Sequence, residues 1–107
     1  MEDISYVVKY YENEIKPYIE KSNFSEAKTN LFGLLAVLQT EQIKRNLTGN
    51  PISYLPSAIA STKVLIEVIE KEDNNLIESC NRHLEIYLKQ FKMRLEAQSG
   101  RNSALEI

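Results

Sequence analysis

The stretch IESCNRHLEIYLKQFKMRL, Ile77 to Leu95, decides the fold. Ile77, Cys80, Leu84, Tyr87, Leu88, Phe91 and Leu95 recur at steps of three and four, the spacing that gathers side chains on one face of an α-helix. Between them Glu78–Arg82, Glu85–Lys89 and Lys92–Glu96 stand four apart with opposite charge. Such pairs knit a solvated helix face and contribute roughly 0.2–0.5 kcal/mol each. The pattern predicts a helix from about Asn75 to Gln98, capped by Asp73 or Asn74 and stopped at Ser99-Gly100.

Three more helical stretches precede it. The second runs from about Glu26 to Asn46 on the stripe Ala27, Leu31, Leu34, Leu35 and Leu38, with Gly49 placed as its C-terminal stop. The third begins near Pro56, a good first-turn residue, on Leu55, Ala58, Ile59, Thr62, Leu65, Ile66 and Ile69. The first runs from about Ile4 to Lys21, with Asp3 as its N-cap, on Ile4, Val7, Val8, Tyr11, Ile15 and Tyr18. Pro17 interrupts it. An interior proline costs a helix about 3 kcal/mol, so a kink or break is expected near Lys16. No segment alternates apolar and polar residues as a half-buried strand does. Short connections favour antiparallel neighbours. The expectation is an all-α, antiparallel four-helix bundle of two helical hairpins, one domain over residues 1–98, followed by a flexible tail at 99–107.

Composition narrows the function. The chain has 107 residues, 43% apolar and 26% charged, the mix of an ordinary globular domain. Its net charge of -2 argues against a protein whose main task is coating nucleic acid. A single cysteine, Cys80, excludes an internal disulfide framework. The longest apolar run, Leu31 to Leu38, is far short of the roughly 20 residues that cross a bilayer, and the N-terminus shows no apolar signal segment. A cytoplasmic protein without membrane contact is expected.

Catalytic and metal chemistry finds few players. His83 lies one turn from Cys80, but two ligands do not make a structural zinc site. The three glycines stand apart, so no phosphate loop exists. The acids of the last helix sit in solvated pairs rather than in an apolar setting that would tune them for proton transfer. No enzyme activity, cofactor or metal is expected.

Surplus apolar surface is the feature left over. On the last helix Ser79, His83, Ile86, Gln90, Met93 and Ala97 follow a second seam, at steps of four and three, well off the main stripe. On the second, Phe32, Ala36, Gln39 and Ile43 do the same, and Gly33 and Ala36 are small enough to let a neighbour come close. Either these seams fold into one core or they meet a partner. The functional expectation is a small non-enzymatic interaction module, an adaptor, inhibitor or subunit. It would bind another protein or a second copy of itself through Phe32, Ala36, Ile43, His83, Ile86 and Met93. The alternative is a nucleic-acid-associated subunit. Residues 82–94 hold Arg82, Lys89, Lys92 and Arg94 against Glu85 alone, a local charge of +3. Residues 1–43, with seven acids against four lysines, would oppose that binding.

Overall fold

Ile15 leaves the helical conformation at φ -123°, and the first helical arm divides there. In a computed structural model, which describes the backbone of residues 4–106 and the side chains of residues 4–98, α1 spans Tyr6–Glu14 and α2 spans Lys16–Glu20. The expected break thus falls one residue before Lys16. Pro17 is accommodated in the first turn of α2, where its missing N–H loses no helical bond. The structure places the α1 N-cap at Ser5; Asp3, the cap expected from sequence, lies outside the described residues.

The remaining helices are α3 (Phe24–Thr48), α4 (Leu55–Glu70) and α5 (Asn74–Glu106). All three begin close to where the periodicity predicts, and Asp73 accepts the Leu76 N–H at 3.2 Å as the α5 cap. The far end of α5 differs. The helix continues through Ser99-Gly100, the expected stop, to Glu106. A single interior glycine costs only about 1 kcal/mol against alanine, which an established helix tolerates. The segment 99–107, expected as a flexible tail, is thus helical to Glu106; its side chains and residue 107 lie outside the described residues.

The first arm packs on α3 and α5, and α4 packs on α3 and α5. The helices close a ring around one core: an antiparallel four-helix bundle, elongated at 51 × 23 × 20 Å. Among the described residues there is no strand. Side chains from every arm meet in the core, including Tyr11, Ile15, Leu31, Leu34, Leu38, Leu65, Leu84, Leu88 and Phe91, all fully buried. Thr62 joins them by turning its hydroxyl back to the Ala58 carbonyl at 2.7 Å, which spares it an unsatisfied polar group.

Polar contacts fix how the arms sit. Tyr10 donates to the Asn30 carbonyl at 3.1 Å, lying across Gly33. A Cβ on Gly33 would meet that hydroxyl at 3.1 Å, so the small residue seats a side chain of α1. On α5, Asn81 accepts the buried Tyr11 hydroxyl and Glu85 accepts Lys16. At the other end of the bundle Arg45 bonds Glu41 at 2.7 Å, the Asn50 carbonyl at 3.3 Å and Gln98 at 3.4 Å, tying α3 and the loop after it to α5.

Candidate functional site

The two seams do not fold into the core. Phe32 is 50% exposed, Ile43 60%, Ile86 48% and Met93 59%, and Ala36 and His83 are exposed with them. All six side chains read as partner-contacting therefore lie on the outside of the bundle. The inward faces of the same helices supply Leu31, Leu34 and Leu38 from α3 and Leu84, Leu88 and Phe91 from α5. Each helix thus carries a second apolar strip outside the side that fills the core.

The seams occupy separate positions. Asn30 and Gly33 mark the side of α3 turned to α1. A helical step of about 100° per residue puts Phe32 and Ile43 on the other flank, toward α4. On α5, Asn81 and Glu85 mark the side turned to the first arm, while Tyr87 and Arg94 turn to Tyr54 at the head of α4. Ile86 and Met93 point outward beyond that second side. The two seams thus flank α4 on adjacent faces of the bundle and do not merge. Ala36 departs from its group: it borders a shallow groove of about 260 Å³ that α3 shares with Ile4 and Tyr6, lined also by Val37, Thr40 and Lys44. Periodicity within one helix could not reveal that groove, since half of it belongs to another segment.

The basic residues of α5 are not gathered on one face. Arg82 bonds Glu78 at 3.4 Å, Lys89 faces Glu85 at 3.5 Å and Lys92 faces Glu96 at 3.9 Å, the three pairs that the spacing predicts. Arg94 turns away from them and lies over the Tyr54 ring, 5.8 Å from its centroid. Glu85 also takes Lys16 at 2.9 Å. That bond, with the charge of Lys16 and Lys89, holds the Glu85 carboxyl below the usual carboxylate range against the opposing effect of burial.

Cys80 is half-buried, and burial followed by the charge of Asp73 pushes its thiol pKa up. A raised pKa leaves less of the reactive thiolate at neutral pH. Among the described residues no three His, Cys, Asp or Glu side chains gather to hold a metal. No helix among them is long and apolar enough to cross a membrane.

Fold and surface together define a small antiparallel helical bundle with unpartnered apolar seams. Comparison with family models, with curated proteins and with solved structures finds no match to the chain.

Proposed function

We propose that this chain is a small, non-enzymatic, cytoplasmic protein–protein interaction module. It acts by occlusion or bridging through the outer seams of α3 and α5, as an adaptor, an inhibitor or a subunit of a larger assembly. The observation that carries this reading is the exposure of Phe32, Ile43, Ile86 and Met93, four large apolar side chains at helical spacing on helices whose core sides are already filled. Burying a large aliphatic side chain contributes about 1.5–3 kcal/mol, so half-exposed residues leave a substantial part of that free energy for a partner to recover. Pairing of Arg82, Lys89 and Lys92 with glutamates supports this reading over a nucleic-acid surface, which needs cations free to meet phosphate.

The test places a photo-reactive amino acid at Phe32, Ile43, Ile86 or Met93, one at a time, in the cell that makes the protein. A covalent adduct with a second copy or with one defined protein is expected from at least one seam, and none from the same probe at exposed Glu12 on α1. The reading fails if no seam position gives an adduct and the purified chain stays monomeric.

A further inference from the structure

We infer that the first arm is exchangeable: residues 4–20 leave their own bundle and dock at the same place on a second copy of this chain, which returns its own arm. The turn Lys21-Ser22-Asn23 is the hinge. This goes beyond the proposed function, and neither seam takes part in it.

The turns between antiparallel helices differ in what opening them would do. After α3, Gly49 and Pro51 keep the link from becoming helix. Between α4 and α5, Glu72 is held at φ 56°, but Asp73 caps α5 through the Leu76 N–H at 3.2 Å. Opening that turn would lose the cap. The turn before α3 has the strain without the cap. Ser22 sits at φ 59°, and Asn23 sends no side-chain bond to the first turn of α3. Lys21, Ser22 and Asn23 are all exposed, and none is glycine or proline, so the three can continue a helix. Straightening takes Ser22 out of the left-handed region. It also gives the Phe24, Ser25 and Glu26 N–H groups the carbonyls of Glu20, Lys21 and Ser22. The bonds from Ser22 to Ile19 and from Asn23 to Tyr18 are lost, and helical ones replace them. α2 and α3 then run as one helix from Lys16 to Thr48.

Short strained hinges favour exchange between identical copies. The docking of the arm itself is the same in both states. Val7, Val8, Tyr11, Ile15 and Ile19 are buried where the arm packs on α3 and α5. Tyr10 bonds Asn30, Tyr11 bonds Asn81 and Lys16 bonds Glu85. In the exchanged pair each of these contacts is made between copies, so the groove stays filled. The balance then lies between the relief of two hinges and the entropy of association, and concentration shifts it. Because the seams lie outside the exchanged contacts, the pair presents each seam twice, as bridging between partners requires.

The experiment holds the full chain at millimolar concentration near its thermal midpoint, cools it, and measures mass by chromatography with light scattering. A species at twice 12.3 kDa is expected to grow with warming. Ser22→Gly removes the strain and weakens the helix that the open hinge needs. It should raise the Kd of the pair about 100-fold, roughly tenfold for each hinge. Ser22→Ala keeps the strain and favours the helix, so it should lower that Kd. A photo-reactive phenylalanine in place of Tyr10, whose hydroxyl lies against Asn30 and Gly33, separates exchange from surface association. Illumination should join two chains in the isolated pair and cross-link only within the chain in the monomer. A chain that never pairs overturns the inference. So does a pair in which the probe reacts only within one chain, or one that Ser22→Gly leaves unchanged. A pair lost with Phe32→Glu or Ile86→Glu rests on a seam; it overturns arm exchange and supports the proposed function. If no pair forms yet a seam photo-probe joins a different protein, arm exchange alone fails.

Discussion

Lys16 places its ammonium 2.9 Å from the Glu85 carboxylate, so the residue at the break of the first arm is held by α5, sixty-nine positions along the chain. The same hydrogen bond raises the Lys16 pKa and lowers that of Glu85. A carboxyl with a lowered folded pKa stabilises the fold above its unfolded value and loses that contribution as pH falls through the folded one. The lysine contribution is complete below its unfolded value and is lost as pH rises through the raised folded one. The pair therefore favours folding across the range between an ordinary glutamate and an ordinary lysine pKa. Glu85→Gln should lower stability by less than about 1 kcal/mol near neutral pH, because both partners are partly solvated. As pH falls through the lowered Glu85 value, the variant and the parent should converge. Urea denaturation at pH 7 and pH 3 checks both.

The Tyr11 hydroxyl is buried against Asn81, and burial, followed by the charges of Glu85, Glu20 and Glu12, pushes its pKa far above the ordinary tyrosine value of 10.0. An unfolded chain releases that proton more readily than the folded one. Stability should thus fall as pH rises above 10.0. Tyr11→Phe should cost about 1–2 kcal/mol at neutral pH, since Asn81 loses its donor. It should also flatten the alkaline decline. Thermal midpoints between pH 8 and pH 11 would show either effect missing.

Exposure of the seams has a stability consequence of its own. In dilute solution Phe32→Glu and Ile86→Glu should shift stability by no more than about 0.5 kcal/mol, as surface substitutions do. Leu84→Ala and Leu88→Ala, one turn away on the buried side, should lose about 2–5 kcal/mol. Equal losses in the two sets would return the seams to the core.

Much of this was legible in the periodicity. The stripes of α3, α4 and α5 supply most of the core, Gly49 ends α3, and Pro17 breaks the first arm. What one helix could not show was its neighbours. Tyr10 lies off the α1 stripe, yet it is half-buried because Gly33 on α3 makes room for it. Val68 and Ile52 are buried without belonging to any predicted stripe, since α4 is covered on both flanks and the loop before it folds inward. Glu85 was paired with Lys89 by spacing; Lys16 reaches it only through the tertiary fold. The seams were legible as surplus apolar surface, but whether they faced inward depended on how many helices surround each one.

Three helix ends close in the same way, and only one uses the residue best suited to it. Ser22, Gly49 and Glu72 adopt positive φ of 59°, 68° and 56°. After each, a backbone N–H returns to a carbonyl five residues back: Asn23 to Tyr18 at 2.8 Å, Asn50 to Arg45 at 2.9 Å and Asp73 to Val68 at 3.3 Å. This left-handed closure satisfies carbonyls that the ending helix leaves open, and glycine adopts it without the Cβ clash that other residues meet. That clash costs roughly 1–2 kcal/mol, partly offset by the greater freedom glycine brings to the unfolded chain. Ser22→Gly and Glu72→Gly should each stabilise the bundle by about 0.5–1 kcal/mol, and Gly49→Ala should destabilise it by about 1 kcal/mol although nothing lies within 4 Å of the added methyl. Ser22 and Glu72 lie on separate loops and share no backbone hydrogen-bond partner, so the two glycine gains should add. Urea midpoints of the single and double variants measure this, and a loss on Glu72→Gly would mean that its side chain stabilises the turn by more than its backbone strain costs.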